Sequence, residues 1–138
     1  MKNLVLTLGI FLIAFSTKAQ EETVTVNVTI DNVLNDKGTI LVSLHSKDSF
    51  MKGSGVIDMQ EKAKKGTISV SFENVVASEY AVMVLHDEND NKKMDFEANG
   101  MPKENYGISG NAIAMGPPTF TDAKFEVTNE DVELTIRF

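Results

Sequence analysis

Between Asp87 and Asp95 the sequence reads DENDNKKMD. It places side-chain oxygens at Asp87, Asn89, Asn91 and Asp95, positions 1, 3, 5 and 9 of a loop, with Lys93 at position 7. Alternate residues of a tightly curled loop turn their oxygens inward and position 7 offers its backbone carbonyl, so this spacing suits a calcium ion. Four side chains and the Lys93 carbonyl make five oxygens, where calcium takes roughly 6–8. The shell therefore needs a bidentate Asp, waters, or a carboxylate returning from Glu97 or Glu104. Two positions depart from a helix-loop-helix calcium hand. Position 12 is Ala98 instead of a bidentate Glu, and position 6, where a Gly usually takes positive φ, is Lys92. With Asp87 and Asp95 as the anions of the set, the expected site is weak, at about 10⁻⁴–10⁻³ M as in extracellular modules. The competing reading is a solvated turn, since Asn and Asp are common turn residues. Asp90, out of phase with the other oxygens, is expected to point outward.

Two histidines offer a different chemistry. His86 precedes the loop and His45 ends another strand-like run in a similar phrase. With Asp87 or Glu104 they would make a transition-metal site, or a general base with an orienting acid. The plainer reading of each is a half-buried ring bonded to backbone at the rim of the fold. A nucleophile is hard to find: the chain has no Cys and no G-x-S-x-G, and Ser109 in YGISGN lacks a motif-defined base.

The elements that would position these groups are strands. TVTVNVTI puts Val24, Val26, Val28 and Ile30 on one face, and TILVSLH puts Ile40, Val42 and Leu44 on one face. The join between them carries Asn35, Asp36 and Gly38, which is turn chemistry. GTISVSFENV aligns Ile68, Val70 and Phe72. YAVMVLH is apolar on both faces, as a central strand is. AKFEVT and VELTIRF alternate again, giving six strands. Residues 46–65 carry no winning period and predict an irregular excursion with one short strand. Residues 88–121 are a longer aperiodic segment holding all three prolines, and connections beyond about 15 residues usually carry function or are disordered. No amphipathic helix stands out. The expected fold is all-β, a two-sheet antiparallel sandwich of about seven strands, immunoglobulin-like or transthyretin-like. Tyr80, at the start of its strand, is expected to bond its hydroxyl to nearby backbone as a corner.

The first residues, MKNLVLTLGIFLIAFSTKAQ, combine Lys2, an apolar run from Leu4 to Phe15, and small residues up to Ala19. That is the layout of a secretory signal peptide over residues 1–19, with an apolar run too short to span a bilayer. Residues 20–138 then form a single domain, with no transmembrane segment after cleavage. Losing Lys2 and Lys18 takes the formal charge from −7 to −9. Such a field repels phosphate backbones and excludes nucleic acid as a natural partner. An envelope or extracellular protein or ligand fits better.

Three phrases in order, HDENDNKKMD, GMPKENYGISGNA and GPPTFTDAKFEV, resemble the motifs of the DUF2141 family, small exported bacterial proteins of undefined function. The likeness runs from about Val24 to Phe138. The family's first motif is similar to His-Asp-x-Asn-Gly-Asn-Gly-x-x-Asp; this chain keeps His86, Asp87, Asn89, Asn91 and Asp95, and has Asp90 and Lys92 where glycines are usual. The second motif is met by Gly100, Pro102, Glu104, Tyr106, Gly107, Ser109 and Asn111, and the third by Gly116, Pro117, Pro118, Phe120, Ala123 and Phe125. The resemblance implies export to the periplasm or beyond a Gram-negative cell and a β-sandwich, and it implies no substrate. Glu104 either completes a metal shell or braces the loop by accepting backbone amides. Phe120 and Phe125 are expected to anchor the excursion on the core.

Overall fold

Each alternating run becomes a strand whose apolar face is buried. The computed structural model describes residues 21–111 and 116–138; residues 1–19, expected from the sequence to be a signal peptide, and residues 112–115 of the Gly/Pro-rich excursion lie outside the described residues. Strands β1 (Thr23–Val33), β2 (Thr39–His45), β3 (Ile57–Lys62), β4 (Gly66–Val76) and β5 (Ser78–Asp87) form the first part of the chain. After the aperiodic segment follow β6 (Tyr106–Ile108), a one-turn helix α1 (Phe120–Ala123), β7 (Phe125–Val127) and β8 (Val132–Arg137). One sheet has the order β4-β1-β8 and the other β3-β2-β5-β6, with β7 also pairing β5. The inward stripe of β1 meets Ile40, Val42 and Leu44 of β2, Phe72 of β4 and Val82 and Val84 of β5 in one buried cluster. At about 25 cal/mol per Å² of apolar area, burial of this kind is the main stabilising term.

The fold is the expected two-layer all-β sandwich, with two differences of detail. Among the described residues there are eight strands, because β6 forms inside the aperiodic segment. Three residues are too few to show a period. The short strand expected in the 46–65 excursion is β3. And the pairing is not wholly antiparallel: β8 runs parallel to β1, Val28 opposite Leu134 and Ile30 opposite Ile136. Pairing direction depends on where the chain crosses between sheets, which alternation does not encode.

β5 is the central strand that its two apolar faces predict. Tyr80, Val82 and Val84 face the space between the sheets, while Ala81 and Met83 face a second cluster with Phe50, Ile108, Ala123 and Phe120. Phe120 lies edge-on to Phe50 at 5.8 Å, and Phe125 packs against the main cluster, so both anchor the excursion. Tyr80 donates its hydroxyl to Val76 O at 3.0 Å, closing the β4–β5 corner, and burial pushes the phenol above its ordinary pKa.

Two devices close the end of the sandwich where β5 finishes. Asn111, at φ 48°, donates its amide to Thr135 O at 2.7 Å and accepts from Arg137 N at 3.0 Å, pairing with the outer margin of β8 as a strand would. Gly38, at φ 67°, lies so close to β5 that an added Cβ would sit 2.0 Å from Asp87 O. Gly38→Ala is expected to lower stability by about 3 kcal/mol or more, as steric intrusion on fixed backbone does. Gly66→Ala also falls at positive φ but meets open space, and should cost only about 1–2 kcal/mol of conformational strain. Urea denaturation of the two variants checks the order; equal losses would contradict the close approach.

Candidate functional site

Strand β5 delivers His86 and Asp87 to the rim on opposite faces, because successive side chains alternate. His86 shares the inward parity of Val82 and Val84. It is fully buried, its ring stacks on Phe138 at 6.1 Å, and Nε2 donates to Lys37 O at 2.7 Å. That bond requires a proton on Nε2, and Nδ1 is buried without a partner. His45 lies at the other end of β2. Thr39 is opposite Asp87 and His45 opposite Ala81, so the ladder separates the two histidines by most of a strand. His45 is also buried, with Nδ1 donating to Ser49 O at 3.2 Å and its ring edge-on to Phe50. The sandwich therefore does not bring His86 and His45 to one cleft.

Asp87 faces the other way and organises the loop. Fully buried, it accepts Asn91 N on Oδ1 at 3.2 Å and Lys92 N on Oδ2 at 2.7 Å. Hydrogen bonds to a charged acceptor contribute about 1.5–3 kcal/mol each, enough to hold a carboxylate out of water. Drawing both N–H groups to one carboxylate curls the chain, and Asp90 and Lys92 take φ 57° and 60°. These are the two positions at which the family motif resembles glycine, so the chain keeps the left-handed geometry without the glycines. Asp90 accepts from Thr39 Oγ1 at 2.6 Å, so it is tied to β2 although it is exposed.

The loop's remaining oxygens and amides bond one another. Asn91 N reaches Asn89 Oδ1 at 3.1 Å and Lys93 N reaches Asn91 Oδ1 at 2.9 Å, two successive Asx turns. The amides of Asn89 and Asn91 then converge on the Asp95 carboxylate, at 2.6 Å and 2.9 Å to Oδ2. Glu104, 9 % exposed, lies across the loop and accepts Glu88 N on Oε1 at 3.1 Å and Asp95 N on Oε2 at 3.2 Å. One carboxylate thus fastens both ends of the segment, the brace among the two roles open to it. Among the described residues no group of three or more His, Cys, Asp or Glu side chains is placed to hold a metal ion.

Residues outside the motifs support this arrangement. Asn35 Nδ2 donates to Glu88 Oε1 at 3.0 Å, and Lys37, Gly38 and Thr39 hold His86, Asp87 and Asp90 respectively. The signal for them was the turn chemistry of NDKGT, which gives no sign of its long-range partner. Ser109 is buried and fully engaged, accepting Val82 N at 2.9 Å and donating to Ala123 O at 2.5 Å. It joins β5 to α1 and has no free hydroxyl to activate.

Two measurements test these roles. Glu104→Gln keeps the shape but presents an amide donor to one of two backbone donors, and should lower stability by about 1–3 kcal/mol. Glu97→Gln, on the exposed hairpin, should change it by less than about 0.5 kcal/mol; parity between the two would remove the brace. Desolvation by burial holds the His45 pKa below its ordinary value, against opposing contributions from Ser49 and Asp58. A depressed folded pKa gives stability that is present above the unfolded value of about 6.5 and lost as pH falls through the folded value. Chemical denaturation below neutrality should show this loss, and His45→Asn should flatten it.

No curated protein and no solved structure matches the chain. A family model described as an uncharacterized protein conserved in bacteria (DUF2141) matches residues 28–135, a span that contains the loop, its Glu104 brace and the strands that carry both. The chain belongs to the DUF2141 family.

Proposed function

We propose that the protein is an exported, non-catalytic β-sandwich module whose loop binds calcium weakly through Asp87, Asn89, Asn91, the Lys93 carbonyl and Asp95. The bound ion orders the Gly/Pro-rich segment up to Pro118 into a surface for a partner in the periplasm or outside the cell. The observation that carries this reading is the left-handed backbone of Lys92, at φ 60°, beneath the Asp87 carboxylate. A calcium loop needs that curl at position 6, and this chain makes it without glycine. The donors are hard oxygens, which suits calcium over a thiophilic metal. Glu104 supports the reading either way, since a carboxylate that accepts two amides retains lone pairs for an ion.

Binding is weak for a stated reason. The Asn89 and Asn91 amides already donate to Asp95, and an ion at that point requires both to present oxygen instead. With free calcium at about 1–10 times Kd, linkage adds roughly 0.4–1.4 kcal/mol to stability. Export rests on the charged, apolar and small-residue pattern of the first 19 residues. A catalytic or transition-metal centre on His86 and Asp87 has less support, because their side chains leave opposite faces of β5 and Ser109 is engaged on both sides.

Calorimetric titration of calcium into chelator-treated protein is expected to show millimolar-range binding. Calcium should raise the melting temperature by about 2–6 °C. Asp95→Asn should abolish both effects. Absence of heat and of any melting shift in the wild type would rule out the calcium site.

A further inference from the structure

Asn99 and Gly100 stand at the tip of a small hairpin that follows the loop. Lys103 N bonds Asp95 O at 2.8 Å and Glu97 N bonds Met101 O at 2.7 Å, with Phe96 opposite Pro102. Ala98, Asn99 and Gly100 make the connection, and Gly100 N closes the turn on Glu97 O at 2.9 Å. Gly100 takes φ 82°, as the left-handed residue that ends a three-residue hairpin loop does. Asn99 and Gly100 are both exposed, and a Cβ at Gly100 would meet nothing within 4 Å.

The Asn99 side chain folds back along the turn. Its Oδ1 accepts Met101 N at 3.0 Å, an Asx turn that draws the carboxamide across Gly100 and polarises its carbonyl. A backbone nitrogen can attack the side-chain carbonyl of the asparagine before it, closing a five-membered imide. A side chain on the attacking residue obstructs that approach, and glycine has none. Of the asparagines in the chain, only Asn99 precedes a glycine. Asn35 and Asn89 precede Asp, and their amides are fastened to the carboxylates of Glu88 and Asp95.

We propose that Asn99 is a modification site at which the chain alters itself through a succinimide, with water as the co-reactant. Gly100 N gives its proton to hydroxide and bonds to Asn99 Cγ, while Oδ1, already held by Met101 N–H, takes up the developing negative charge. The Cγ–Nδ2 bond then breaks, and the nitrogen takes a proton from water and leaves as ammonia. Water opens the imide at either carbonyl, leaving aspartate at 99 or the isomer whose backbone runs through Cγ. One water is consumed, one ammonia is released, and nothing is oxidised or reduced. In the folded hairpin Gly100 N–H is committed to Glu97 O. Attack therefore waits for that bond to break, a local opening that leaves the sandwich folded. The isomer adds one carbon to a turn whose two closing bonds depend on its length, so the tip unzips between Glu97 and Met101.

The test holds the folded protein in mildly alkaline buffer at body temperature and digests samples with trypsin over time, with a fresh sample to correct for the digestion itself. The peptide Met94–Lys103 contains Asn99 as its one asparagine, so replacement of its NH2 by OH reads the site directly. This peptide is expected to convert before that of any other asparagine. Gly100→Ala, which has room for its methyl group, should all but stop the conversion. Asn99→Gln keeps the amide on a longer arm and should show none, which covers the case of a turn disturbed by the alanine. Amide exchange at Glu97 and Gly100 should be faster in the isomer than in fresh protein, and unchanged at Val82 and Val84. Gly66→Ala, destabilised away from the tip, should convert at the wild-type rate, whereas attack through global unfolding would speed it by about 5–30-fold. Earlier conversion at another asparagine, none at Asn99, or an undiminished rate in Gly100→Ala would overturn the proposal. So would the faster rate in Gly66→Ala, which would assign the reaction to the unfolded chain.

Discussion

Strand β5 is covered on both faces along most of its length, and the site is built where that cover ends. Its inward residues belong to the main core and its outward residues to the cluster around Phe50 and Ile108. Moving the strand by one residue would exchange those two sets, so its register is firmly held. The same parity carries on to the last two residues. It sends His86 into the core and Asp87 outward, and the imidazole becomes a packing group while the carboxylate becomes the organiser of a loop. A buried anion needs donors, and the nearest are the amides of Asn91 and Lys92. Satisfying Asp87 and curling the loop are thus one event.

Neutral donors satisfy most of the other carboxylates around this loop. Asp90 takes a hydroxyl, Asp95 takes amides, and Glu104 takes two backbone N–H groups. Bonds of this kind are directional and weakly sensitive to salt, unlike exposed ion pairs. The arrangement gives the segment a defined shape while its lysines project into solvent. It also means that any ion entering the loop competes with existing bonds.

The sequence made some of this legible and hid the rest for identifiable reasons. Val24 to Ile30 and Ile40 to Leu44 alternate because one face of each strand is buried, and burial leaves a period. The two-sided apolar run of β5 marked a central strand for the same reason. The oxygens of Asp87, Asn89, Asn91 and Asp95 were visible as a spacing, and Tyr80 as a corner. β6 was not visible, since its three residues are held by pairing with β5 and by the fit of Gly107 against Ile136. Nor was the parallel β1–β8 pair, whose direction follows from the crossing between sheets. The separation of His45 from His86 depends on ladder position and face, which residue type does not carry. Lys92 illustrates the limit of reading residue type alone: lysine disfavours positive φ, yet the bonds that Asn91 N and Lys92 N donate to Asp87 hold it there.

Asn111 has a bearing on how molecules of this protein meet one another. Its amide occupies Thr135 O and Arg137 N, the acceptor and donor through which another chain would register on the outer side of β8. An open sheet margin is a template for strand addition, and natural proteins obstruct it by several means. Here one side chain does so, at the end of the smaller sheet nearest the loop. Molecules crowded together are therefore denied continuous sheet growth through that stretch of β8, and their encounters fall to side chains instead of backbone.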